Sequence, residues 1–340
     1  MGVKGKLKLL AFLSIIAIFS LTAINIYKEY LYTSKIEQIT QSVSYSRTLS
    51  KLLEALQKER AINAIYLQSQ GEMLASEMDT QRIETDKRVE TFRNYVGETI
   101  ATISDTKLRT KIEEISKSLE QLKAIRRQID KLRLSGEEMF GYYNSIDDAI
   151  LSVLRFNAMK SPEGKIAREL QTYYFLLSAK EIASRQQARF AEALISETLD
   201  DETLKKVVSM TAKEVTYLDV FQNLASSTLL EMFESPSFQK VFKDTQEMTR
   251  HALKTMKSGR FDVDLQRWFG MITKKNEEYR HLEAKALETI EKEISRKPTL
   301  ALYSAILGLF FLIVILLILR SLNREISRRI HSFDWIIEKP

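Results

Sequence analysis

Cysteine is missing from all 340 residues, which excludes disulfides and thiol chemistry and leaves the compartment open. Proline occurs four times and glycine ten times. That scarcity excludes a loop-rich architecture. With Lys, Glu, Leu, Ile, Ser and Ala dominant, it predicts helix almost throughout. No strand-like alternation of useful length occurs, so the expected fold class is all-α.

Histidine is scarce as well: His251, His281 and His331. None stands in an H-E-x-x-H arrangement, so surface histidines and no metal site are expected. The glycines form no phosphate cradle. The acidic pairs Glu113-Glu114, Asp147-Asp148 and Asp200-Asp201 are sequence neighbours. Neighbours on a helix do not face each other, so these pairs are read as solvated faces or caps rather than acid–base dyads. No enzyme and no cofactor are expected. The net charge is +6, but basic residues are spread and mixed with acids, and no nucleic-acid partner is expected.

Two uncharged apolar runs are present, LLAFLSIIAIFSLTAINIY at 9–27 and TLALYSAILGLFFLIVILLIL at 299–319. Each is about long enough to cross a hydrocarbon core of roughly 30 Å at 1.5 Å per residue. Lys4, Lys6 and Lys8 precede the first, and Arg320, Arg324, Arg328 and Arg329 follow the second. The positive-inside rule then predicts two transmembrane helices, both termini cytoplasmic (1–8 and 320–340), and residues 28–298 in the periplasm. A cleaved signal peptide is the alternative for the first run. Against it stand the length of the run and the lack of a small-x-small site after it.

Between the runs, turn signals divide the chain into eight expected helices: one continuing the first run to about 68, then about 72–102, 106–134, 137–160, 165–198, 201–234, 237–257 and 263–296. Asp105 is a candidate N-cap. Leu108, Ile112, Ile115, Leu119 and Leu122 recur at steps of four and three, the seam of a left-handed bundle, which loses regularity at Arg126. The strongest break, Ser161-Pro162-Glu163-Gly164, separates halves at about 28–160 and 165–298. A four-helix bundle in each half is the economical packing. A homodimer is an open candidate.

One residue does not fit its helix. Arg60 follows Leu53 and Leu56 and precedes Ala64 and Leu67, which places a guanidinium on the apolar stripe. That costs several kcal/mol (roughly) unless acceptors meet it. Three explanations stand open. Arg60 pairs with an acid from another helix, or snorkels to water, or holds a small anion with its planar fork.

The stretch LQKERAINAIYLQSQG resembles the opening of the nitrate- and nitrite-sensing (NIT) domain family. Arg82 with Thr85 and Asp86, Lys180 with Glu181, Phe221 with Ala225, and Trp268 follow in that family's order, over about 48–292. The resemblance implies a helical module of two four-helix bundles that binds nitrate or nitrite through arginines from both halves. Arg60 matches the first-half arginine. In the second half the family reads roughly K-E-x-A-G-x-E-R-A, and here Gln187 stands where the arginine would be. Leu176, Ala183, Phe190 and Leu194 share a helical stripe with Gln187, while Arg185 and Arg189 flank it. A glutamine offers two donor hydrogens and no charge, so anion binding weaker by about 1.5–3 kcal/mol is expected. The ligand-binding candidates are therefore Arg60, Gln187, Arg185 and Arg189, with Glu59 and Glu181 as structural ion-pair candidates.

The resulting expectation is a bacterial inner-membrane sensor. Its periplasmic module binds a small anion and signals through the second span to an unknown cytoplasmic partner. A ligand-free interaction scaffold and a receptor for small carboxylates are the alternatives. After the second run, Leu322, Ile326, Ile330, Phe333 and Ile337 continue a helical stripe, expected as a signalling helix or a basic amphipathic helix on the inner leaflet.

Overall fold

The computed structural model describes residues 3–103, 105–161, 164–197, 200–256 and 262–295, and beyond them 303, 306–318, 320–321 and 324. Among the described residues the chain is all-helical, without a strand. Ten α-helices are formed up to Ile294. They are α1 (Val3–Gln68), α2 (Ala75–Thr99), α3 (Thr106–Glu120), α4 (Leu122–Asp130), α5 (Gly136–Lys160), α6 (Gly164–Ser196), α7 (Asp201–Leu224), α8 (Ser227–Phe233), α9 (Pro236–Met256) and α10 (Leu265–Ile294). A 3-10 turn, Ile100–Thr102, follows α2.

The boundaries follow local chemistry. Gly71, at φ 87°, accepts a left-handed conformation that closes α1, its N–H reaching Tyr66 O at 2.8 Å. Asp105 caps α3 through the N–H groups of Lys107 and Leu108. Ser135 and Glu138 form a reciprocal capping box at the start of α5. Asp200 caps α7 through Thr203 N–H.

The eight helices expected from turn signals are too few, because two of them divide where no proline or glycine marks a stop. The 106–134 helix breaks at Gln121, whose N–H turns back to Ser118 O. The seam residues Ile112, Ile115, Leu119 and Leu122 stay buried across the break, and α4 is set so that Arg126 and Ile129 also point inward. The 201–234 helix breaks at Ala225, which turns extended at ψ 146°.

Residues Ile39–Ile294 form one compact unit, and 1–38 with 295–340 form another. In the larger unit α6 is the central element, packed by α5, α7 and α10. Its second half is anchored by Phe190, whose ring lies 4.4 Å from that of buried Trp268. Ala193, Leu194, Val207, Ala252 and Ile272 complete that cluster. Each such buried large side chain stabilises the fold by about 1.5–3 kcal/mol.

In the smaller unit the side chains of Phe12, Ile16, Phe19, Phe310 and Leu317 are exposed. A Cβ on Gly308 would meet Thr22 Oγ1 at 2.9 Å, so two helices approach closely there. The expectation of two membrane spans is not met: among the described residues, no helix is long and apolar enough to cross a membrane. The inner-membrane placement, with its periplasmic module and cytoplasmic termini, is withdrawn on that finding. The stripe from Leu322 to Ile337 lies outside the described residues.

Candidate functional site

Three helices bring polar residues together inside the larger unit: the part of α1 from residue 54 onward, α6 and α10. Each of the ion-pairing groups arrives through ordinary helical spacing. Glu54, Lys58 and Ala61 recur at four and three on α1, and Lys180, Ser184 and Gln187 do so on α6.

Arg60 is fully buried. Its Nη1 donates to Asn144 Oδ1 and Asp147 Oδ2, both at 2.7 Å, and to Glu181 Oε1 at 2.8 Å. Its Nη2 donates to Glu181 Oε2 at 3.2 Å and to Ser184 Oγ at 3.0 Å. Of the three explanations left open, the structure displays pairing with acids from other helices; the head does not reach water. Glu181 also accepts from Gln57 Nε2 at 2.6 Å and from Arg185 Nε. Arg185 then reaches Asp148 Oδ1 at 2.7 Å.

The two carboxyls facing Arg60 are driven apart. Burial, and then the facing charge of Glu181, push Asp147 well above the usual carboxylate range, more than Arg60 pulls it down. Burial also raises Glu181, but Arg60 and Arg185 together outweigh it and hold Glu181 below that range. The two carboxyls face one another across Arg60, so they titrate as a pair.

Glu59 points to a second cluster. It accepts from Arg126 Nε at 2.7 Å and from Tyr143 Oη at 2.6 Å, while Arg126 Nη1 reaches Asp86 at 2.6 Å. Two further buried carboxylates repeat the pattern. Glu283 accepts from Lys180 at 2.6 Å and Tyr173 Oη at 3.4 Å. Glu214 pairs with Lys275 at 2.6 Å and accepts from Tyr279 Oη at 2.6 Å. In each case a cation and a tyrosine share one carboxylate. Sequence reasoning noticed Arg126 only as an irregularity in a seam, read Asp147 as solvated, and did not single out Glu283 or Glu214. A charged residue at an apolar register was the available signal.

Beside the Arg60 cluster lies a cavity of about 210 Å³. Glu54, Gln57, Lys58, Ala61, Ile62 and Ile65 of α1 line it, with Lys180, Ser184 and Gln187 of α6, and Phe269, Thr273, Asn276 and Arg280 of α10. Gln187 Oε1 accepts from Asn276 Nδ2 at 3.0 Å. Arg60, Arg185 and Arg189 are not among the lining residues. Arg189 sits elsewhere, 3.8 Å over the Phe140 ring and paired with Glu137 at 2.6 Å. Gln57 and Ser184 belong to both places: each lines the cavity and each is bonded into the Arg60 cluster.

Fold and site together define an all-helical module with a cavity of mixed apolar and polar lining between helices and a buried charge network behind its wall. The chain belongs to the NIT family, described as nitrate and nitrite sensing, whose model matches residues 51–291. It is similar to a nitrate regulatory protein of Klebsiella oxytoca, 22% identical over 253 residues. That match takes in 74% of this chain and 63% of the relative, so the chain spans less than two thirds of the relative's length. Its fold is similar to that of the NasR transcription antiterminator, with a TM-score of 0.68 and 20% identity, over 91% of this chain and 86% of that one.

These likenesses correct two expectations. The membrane sensor relaying through a second span is withdrawn: no described helix is long and apolar enough to cross a membrane, and the similar proteins are named as a nitrate regulatory protein and a transcription antiterminator. The exclusion of nucleic acid from the partners is withdrawn as well, because the similar fold belongs to a protein named as a transcription antiterminator. It rested on an even spread of basic residues, which bears only on patches of one folded surface.

Proposed function

We propose that this chain is a non-enzymatic regulatory sensor of nitrate or nitrite, and that the anion enters the cavity between α1, α6 and α10. The observation that carries the reading is the family match over 51–291. The cavity supports its location, being lined by three cations and by the amides of Gln57, Gln187 and Asn276. Gln187 meets the ligand directly. Arg60 acts through Glu181 and Gln57, which it holds in register, and Arg185 and Arg189 tie α6 to α5. The helices on either side of Ser161–Gly164 act as two bundles. The anion favours one arrangement of them by differential affinity, without which nothing would be transmitted.

Thermal unfolding of the full chain with nitrate, nitrite or chloride tests this. At about 100 times its dissociation constant a ligand adds roughly 2.7 kcal/mol to the folded state. Stabilisation by nitrate or nitrite beyond that by chloride is the expected result. Equal behaviour of all three salts would sink the reading.

A further inference from the structure

The cations of the cavity already share an anion of their own. Glu54 lies on its wall, with Oε1 2.7 Å from Lys58 Nζ and 3.8 Å from Arg280 Nη1, and Oε2 3.8 Å from Lys180 Nζ. Three positive side chains from three helices thus converge on one carboxylate. Only the contact to Lys58 has the length of a direct bond; the other two are loose. The side chain of Glu54 is 24% exposed, so it has room to move. Burial pushes its carboxyl up, but Lys180, Lys58 and Arg280 outweigh this and keep it ionised.

A carboxylate and a nitrate ion are close in shape: planar, delocalised and singly negative. Donors arranged for one suit the other. Lys180 has a second partner in Glu283 and Arg280 a second in Glu277, at 2.6 and 3.6 Å. An added anion therefore meets a cluster with little spare positive charge while Glu54 stays in place.

We infer that Glu54 is a tethered competitor of the ligand: its carboxylate occupies the Lys58, Lys180 and Arg280 cluster, and a small planar oxyanion binds by displacing it. The inference rests on the reading of this cavity as the anion site. A group tethered by a short flexible stem competes at an effective concentration of roughly millimolar or above. Glu54 thereby sets the anion concentration at which the module responds. Its displacement also frees the contacts that tie α1 to α6 and α10 at this level.

The test is calorimetric titration of the full chain and its Glu54→Gln and Glu54→Asp variants with sodium nitrate and with sodium formate. Thermal unfolding without added anion serves as the control for folding. Glu54→Gln keeps the shape and removes the competing charge, and nitrate should bind about tenfold tighter. Formate, another planar oxyanion, should gain in the same direction. Glu54→Asp shortens the stem, weakens its reach to Lys180 and Arg280, and should fall between the two. If the wild-type chain binds nitrate and folded Glu54→Gln binds it no tighter, the competitor idea fails and the cavity reading survives. If no variant binds nitrate, both fail.

Discussion

The two sides of α6 handle charge in opposite ways. Toward α5, Arg60 is fully buried and its fork is occupied by Asn144, Asp147, Glu181 and Ser184. Toward α10, Glu54 is partly exposed and held by one direct and two loose cationic contacts around a cavity. The closed cluster has short bonds and no room; the open one has long contacts and space. A buried pair loses heavily when one member is removed, whereas a partly solvated one can exchange partners. Fully buried and partly solvated charge are thus separated by a single helix, with Gln57 and Ser184 facing both.

The sharpest way to break this contrast is Arg60→Ala. It strips the closed cluster of its cation and should cost about 3–5 kcal/mol, read by denaturant unfolding. A loss below about 1 kcal/mol would mean that the cluster is not a structural lock. Nitrate affinity should then be compared only under conditions where the variant remains folded.

Asp147→Asn probes the same cluster more gently. Because the folded-state pKa of Asp147 is raised, its contribution to stability is full below the ordinary aspartate value. That contribution is lost as pH rises from there through the raised folded value. The variant should flatten the decline in stability over that window. Unfolding curves across pH check this, and an unaltered slope would show that Asp147 is ionised in the folded chain.

The smallest effect is expected at the open side. Gln187→Ala removes one neutral hydrogen bond, to Asn276, worth about 1 kcal/mol at most in stability. Nitrate binding, measured by titration, should weaken by a few-fold. Unchanged affinity would take Gln187 out of the ligand's reach.

Much of the helical layout was legible in the residues. Asp105, Ser135 and Asp200 stand at helix starts because their side chains satisfy N–H groups that no preceding turn can reach. The break at Gln121 was not legible. No residue type there forbids helix, and the turn serves to bring Arg126 to Glu59 across the bundle. Arg60 announced itself by its register on an apolar stripe, but its partners did not. Asn144, Asp147 and Glu181 lie 84, 87 and 121 positions away, and no periodicity links them.

By itself the sequence determined the class of structure and the family. Sparse glycine and proline, helical periodicity and the ordered motifs from residue 51 onward are local properties of the chain. Tertiary packing alone decided which of its charges are locked and which are available. A charge's role depends on the counter-charges and the water within a few ångströms of it. Those neighbours come from helices far apart in sequence, so Arg60 became closed and Glu54 open only once α1, α6 and α10 had met.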